Sequence, residues 1–182
     1  MIYCQKEIRL KDGRTAVLRA PRPEEAAETV AYLQLSTGET DFLAKYPEEI
    51  GYTTESEEAY LRASLEAEHA MMIVCTVDGR IAGNCQIMRR STKKTQHRAA
   101  LAIGLLREFW GLGIGTAMLS ELIGCAHSMG VRQLELEVVE GNERAMALYR
   151  KMGFSVMAEH PDAFLLRDGS LRKAIFMRRL IK

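Results

Sequence analysis

"REFWGLGIGTAMLSELIG", residues 107–124, sets three glycines at alternate positions, Gly111, Gly113 and Gly115, directly ahead of a periodic apolar segment. Glycines this dense lose much backbone entropy on folding, so they belong where the chain needs unusual dihedrals or lets something close to its backbone. Upstream, "HRAALAIGLL" (97–106) reads as a strand with Ala100, Ala102 and Gly104 on one parity, which leaves one face nearly bare. A bare face admits a helix or a ligand, and a glycine inside a strand often marks a bulge or bend. Downstream, Leu119, Leu122, Ile123, Ala126 and Met129 recur at helical spacing, with Gly130 placed to cap the helix. Strand, glycine turn and helix N-terminus together form an arrangement in which unpaired N–H groups and the helix dipole converge on an anion.

Three readings of the turn compete. A P-loop needs Lys-Ser/Thr after its last glycine, whereas Thr116-Ala117 follow Gly115. A dinucleotide fingerprint needs GxGxxG and further βα units, but this stretch is GxGxG and fewer than two such units remain. A tight turn with no ligand stays open on the turn alone. The second half of the pattern weighs against it: in "GNERAMALYRKMGF" (141–154), Asn142 and Tyr149 stand seven residues apart. Seven residues miss two full helical turns by only about 20°. An amide and a phenol therefore line one stripe, with Ala145 between them leaving room.

The remaining chain supplies a sheet. Residues 7–10 and 15–19 are short extended runs around Asp12-Gly13, a hairpin dipeptide. A helix opens near Pro23, with Ala27, Val30, Ala31 and Leu33 on its apolar side, and a second spans about residues 54–69. Two β-rich runs flank Asp78-Gly79, Leu134, Leu136 and Val138 alternate in a half-buried strand, and two more β-like runs flank Asp168-Gly169. The order is β β α α β β β α β α β β, with no repeat, low-complexity tract or linker, so residues 1–182 are expected to form a single domain.

Composition narrows the function classes. Twenty-five basic residues nearly balance 24 acidic ones, so no whole-molecule field for nucleic acid or an anionic membrane is expected. The basic cluster at 167–182 reads as a charged strand face. The N-terminus lacks a signal-peptide apolar core, and no apolar run approaches the roughly 18 to 20 residues that span a bilayer, so a cytoplasmic location is expected. Cys4, Cys75, Cys85 and Cys125 form no CxxC pair, which signals neither a metal site nor a disulfide framework. Nothing marks any of them as an activated thiolate.

The two motifs, "FWGLGIGTAML" and "VVEGNERAMALYRKMGF", together resemble the GNAT superfamily of acyl-CoA-dependent N-acyltransferases, covering roughly residues 99–154. The resemblance implies an α/β (α+β) fold: a mixed, mostly antiparallel sheet of six to seven strands flanked by helices, with a splayed strand pair. It also implies acetyl-CoA as acyl donor and no metal. Gly113 and Gly115 fall on the two required glycines of the family's Gln/Arg-x-x-Gly-x-Gly/Ala motif, and Trp110 stands where that motif has Gln or Arg. The pyrophosphate is then expected on the turn from Trp110 and Gly111 through Leu112, Gly113, Ile114, Gly115 and Thr116, held mostly by backbone N–H groups. The pantetheine arm is expected beside Leu105 and Leu106, with Asn142 and Tyr149 facing it.

The implied reaction is direct attack of a neutral amine on the thioester. A phenol at the leaving sulfur can supply its proton, which makes Tyr149 the expected general acid. A backbone N–H of Leu105 or Leu106 would meet the developing oxyanion. For the base that relieves the acceptor ammonium of its proton, the residues nominated by place are Glu39, Glu49 and His97; His69, His127 and His160 read as surface or core residues. Over residues 39–58 seven acidic residues face one lysine, a negative wall that would draw cationic amines. The expected enzyme is an N-acetyltransferase acting on a small-molecule or protein amine, with homodimer formation possible through strand edges; the alternative is a non-catalytic acyl-CoA-binding module.

Overall fold

The computed structural model describes residues 2–181. The expected element order is observed: β1 (Lys6–Arg9), β2 (Thr15–Arg19), α1 (Ala26–Gly38), α2 (Thr54–Glu66), β3 (Ala70–Val77), β4 (Arg80–Arg89), β5 (Arg98–Leu105), α3 (Ile114–Ser128), β6 (Gln133–Val139), α4 (Glu143–Lys151), β7 (Ser155–Leu165) and β8 (Leu171–Leu180). Pro23 opens a short 3-10 turn, Pro23–Glu25, and the α-helical pattern starts three residues later at Ala26. The second helix stops at Glu66, with Ala67 already extended, so His69 lies outside it. Helix α3 ends as Gly130 requires: its φ of +69° and the bond from Val131 N–H to the Ala126 carbonyl close the last turn.

All eight strands join one sheet in the order β1-β2-β3-β4-β5-β6-β8-β7. The expected count of six to seven falls short, because both terminal hairpins extend this sheet. Every neighbouring pair is antiparallel but β5 and β6, which run parallel across the α3 crossover. The core lies mainly under α3: Ile114, Met118, Leu119 and Leu122 are fully buried against Ile73, Ile87 and Leu134. Among the described residues no helix is long and apolar enough to cross a membrane.

The decisive irregularity is the β5–β6 pair. Strand β5 stays in register with β4 along Ala99–Leu105, and β6 with β8 along its full length. Between themselves β5 and β6 pair only at Arg98↔Gln133, Ala99↔Leu134 and Ala100↔Glu135. Beyond Ala100 the two halves of the sheet part, which leaves a notch open through the sheet and confirms the expected splay.

Candidate active site

A cavity of about 650 Å³ fills the notch, a volume suited to a small-molecule ligand. Its walls are Ala100 to Leu105 of β5, Glu135 to Val139 of β6, the glycine turn, and Asn142, Ala145, Leu148 and Tyr149 of α4 with its cap. Thr40, Phe42, Leu43 and Ala44 of the α1–α2 loop close it on one side, and Met157, Phe164 and Phe176 from the last hairpin on another.

At one end the glycine turn adopts the conformation its composition predicts. Gly111 and Gly113 have φ of +84° and +99°, where a Cβ is strained, and Gly113 caps α3. Gly115 is helical and is small for a different reason: a Cβ there would lie 3.0 Å from Leu148 Cδ2. The N–H groups of Leu112 to Thr116 find no acceptor among the described residues, as the first turn of a helix dictates. Gly111, Gly113, Ile114, Gly115 and Thr116 line the cavity; Leu112 does not, and its carbonyl accepts from Lys11 N–H at 3.2 Å.

Trp110 sits at this end as a strut. Its indole N–H donates to the Leu105 carbonyl at 2.8 Å, and the guanidiniums of Arg107 and Arg144 lie 5.6 and 5.2 Å from its ring centroid. Arg144 and Lys11 line the same end of the cavity and bring positive charge that the Trp110 position lacks. Neither was singled out in the sequence, although Arg144 stands two residues after Asn142, in the first turn of the motif helix.

The alternation of β5 decides which backbone donor faces the gap. Leu106 N–H bonds the Ala82 carbonyl at 2.9 Å, and Leu106 is 2% exposed. Leu106 is therefore engaged with β4 and is corrected as a candidate donor. Groups of successive strand residues point to opposite edges, so Leu105 and Ile103 direct their N–H groups away from β4, into the splay where β6 no longer pairs. The bond from Trp110 to the Leu105 carbonyl has the same sense. The bare face is real: Gly104 approaches Tyr32 so closely that a Cβ would stand 3.0 Å from the hydroxyl, which also donates to Asn84 Oδ1.

Helix α4 carries the phenol. Asn142 is its N-cap and not a residue of its face: the side-chain oxygen accepts from Ala145 N–H at 3.1 Å, which leaves only the amide N–H groups for a ligand. Tyr149, 8% exposed, packs edge-on against Phe154 at 6.0 Å and lines the cavity. Burial pushes its phenol up to about 12.

The nominated bases do not reach the cavity. Glu39 accepts from Arg107 N–H at 2.6 Å, Glu49 from Tyr46 N–H at 2.8 Å, and His97 is exposed with its carbonyl bonded by Arg132 and Gln133. Within the acidic stretch Glu58 pairs with Arg62 and Glu48 with the distant Arg167, Glu57 is buried, and none of its carboxylates lines the cavity. Proximity in sequence to the loop was a poor guide, because that loop turns its apolar side chains inward. The carboxylates that do line the cavity are Glu135 and Glu137, on alternate positions of β6 and hence one face. Burial raises the carboxyl of Glu135, 7% exposed, but Arg98, which grips it at 2.5 and 2.8 Å, Gln133 and the charge of Arg90 together hold it below the ordinary range. Glu137 is exposed and makes no hydrogen bond or ion pair among the described residues. The period-two placement of two glutamates was the signal that would have found it. Burial raises the thiols of Cys75, to about 12, and of Cys85 and Cys125, which keeps them protonated.

Comparison with known proteins agrees with this geometry. Residues 36–154 match the family described as acetyltransferase (GNAT) family. The chain is 27% identical over 109 residues to the L-amino acid N-acetyltransferase AaaT of Escherichia coli (strain K12), covering 59% of this chain and 67% of that protein. Its structure superposes on a GNAT-family acetyltransferase from Streptococcus pneumoniae with a TM-score of 0.87 and 29% identity, covering 91% of this chain and 99% of that one. It shares the fold of the yncA protein from Salmonella typhimurium, solved with its cofactor acetyl-CoA, with a TM-score of 0.79 and 18% identity over 92% and 94% of the two chains.

Proposed function

Because the chain belongs to the acetyltransferase (GNAT) family, we propose that residues 1–182 act as one catalytic domain that transfers an acetyl group from acetyl-CoA to a primary amine of a small molecule or protein. The observation that carries this reading is one notch that joins three elements: a cradle of unpaired N–H groups, a backbone donor at Leu105, and the buried phenol of Tyr149.

The residues present fit the coenzyme. The N–H groups of Gly113 to Thr116 and the α3 dipole suit a pyrophosphate, and Lys11 and Arg144 add formal charge. The coenzyme supplies an acetyl thioester. Leu105 N–H is oriented to bind the carbonyl oxygen as charge grows on it. Tyr149, held protonated by burial, donates to the sulfur. A phenol near 12 is roughly three orders of magnitude weaker as an acid than a thiol at its reference value of about 8.5. Tyr149 therefore acts first as a hydrogen-bond donor to the departing thiolate, and relays a proton as the amine releases one.

The test is thiol release from acetyl-CoA across a panel of amines, with wild type beside Tyr149→Phe. Turnover with at least one amine, reduced by roughly 10²-fold or more in kcat in the variant, is the expected result. Tight acetyl-CoA binding with no thiol release from any amine would replace this reading with the non-catalytic binding module.

A further inference from the structure

The loop between α1 and α2 lies at the open end of the notch, where side chains from both halves of the sheet hold it. Strands β5 and β6 pair only at their first residues, so the notch widens toward Leu105 and Val139; Ala174 pairs with Val139, which puts the start of β8 at the same end. Just past β5, Arg107 N–H donates to the Glu39 carboxylate at 2.6 Å. In the turn between β7 and β8, Arg167 Nη2 donates to both oxygens of Glu48, at 2.6 and 2.5 Å. The base of the loop is therefore fastened to both halves of the parted sheet. Arg167 also lies 4.3 Å from the Tyr46 ring centroid, so one guanidinium grips two residues of the loop's returning limb. Pro47 brings that limb back to the end of α1, its Cγ 3.4 Å from where a Cβ on Gly38 would stand. The tip, Phe42 to Ala44, lines the notch. No backbone hydrogen bond ties residues 40–48 to another element among the described residues.

A loop held in this way is a flap: its tip walls the notch, and its returning limb is fixed by one distant arginine. Resting on the N-acetyltransferase reading above, we propose that Arg167 is a positioning residue that keeps this flap shut over the notch, and that its release from Tyr46 and Glu48 lets the amine in. The strength of the grip suits that role. The side chains of Arg167 and Glu48 are 58% and 62% exposed, and exposed ion pairs and cation–π contacts are weak enough to break and re-form without unfolding the domain. The bond from Arg107 to Glu39 keeps the other limb in place while the grip is open. When the grip re-forms, Phe42 and Leu43 return to the wall of the notch, enclose the amine and exclude water.

The test has two arms. Limited digestion with trypsin reads the flap through cleavage after Lys45, the residue before the gripped Tyr46, against cleavage after Lys93 and Lys94, which are exposed in the β4–β5 turn. Arg167→Ala should speed cleavage after Lys45 roughly fivefold relative to those reference sites. Arg167→Lys should fall between it and wild type, and Glu48→Gln should add little in the Arg167→Ala background, because the two changes remove one shared contact. In thiol release from acetyl-CoA, with phenethylamine and with the fastest amine of the panel, Arg167→Ala should raise the KM for the amine about threefold or more and leave the KM for acetyl-CoA unchanged. Cleavage after Lys45 at the wild-type rate, or faster only in step with the reference sites, overturns the grip of Arg167 on the flap. An unchanged KM for both amines overturns its role in admitting the amine, while the acetyltransferase reading stands. Absence of thiol release from every amine removes the acetyltransferase reading, and the digestion still decides the grip.

Discussion

The indole N–H of Trp110 donates to the carbonyl of Leu105 at 2.8 Å, and that bond fixes the end of β5 at the place where its next donor, Leu105 N–H, faces the splay. A position where the family motif has a polar side chain instead braces the backbone that borders the notch. Positive charge at the turn comes from Arg144, whose Nη2 lies 3.1 Å from where a Cβ on Gly111 would stand.

Trp110→Phe keeps most of the stacking surface and removes one hydrogen bond, so it should destabilise by about 1 kcal/mol. It should lower kcat more than it weakens acetyl-CoA binding. Trp110→Arg should not improve affinity, since it adds a third guanidinium beside Arg107 and Arg144. Calorimetric titration with acetyl-CoA and a thermal melt on each variant check both points.

Tyr149 remains a donor at pH values where an ordinary phenol, near pH 10, would be half ionised. With its phenol held up to about 12, kcat should show no decline assignable to this residue between pH 9 and pH 10.5. A kcat that halves near pH 10 in wild type, from a group absent in Tyr149→Phe, would contradict the burial argument.

Glycines in this site differ in what they tolerate. Gly113→Ala meets no atom within 4 Å, but φ of +99° places the new Cβ in the left-handed region, at about 1–2 kcal/mol. It should fold with a lowered Tm and weaker acetyl-CoA binding. Gly83→Ala brings its Cβ to 2.5 Å from the Gly104 carbonyl oxygen and 2.4 Å from Leu105 Cδ2, backbone and side chain of the very strand that borders the notch. That variant should yield little soluble folded protein, read by expression and circular dichroism.

Acid should loosen the notch through Glu135. Burial raises its carboxyl, but Arg98, Gln133 and Arg90 together hold it below the ordinary range, so the unfolded chain binds the proton more readily. The stability it contributes is present above the ordinary carboxylate value and is lost as pH falls through the lowered one. Urea midpoints between about pH 5 and pH 3 should therefore fall more steeply for wild type than for Glu135→Gln.

Some of this was decided by neighbours in sequence. The three glycines, the helical spacing of Leu119, Leu122 and Ala126, and the step from Gly141-Asn142 to Tyr149 fixed a strand–turn–helix cradle and a facing phenol, because turns, caps and periodicities depend on residues a few positions apart. The dihedral demand of Gly113 and the capping by Asn142 are such local facts. What lies across the notch is not local. The choice of Leu105 over Leu106 follows from hydrogen bonds to β4, the exclusion of Glu39 and Glu49 from bonds to distant or neighbouring backbone, the place of Lys11 from its bond to the Leu112 carbonyl, and the exposure of Glu137 to the cavity from the parting of two halves of one sheet. Charge along residues 39–58 suggested an acidic wall, yet that stretch lines the cavity with Phe42 and Leu43 and with none of its carboxylates, and one of these, Glu57, is buried away from the notch. The cradle was legible because its chemistry is backbone and short in range; the opposite wall was not, because its charges meet only when strands far apart in sequence come together.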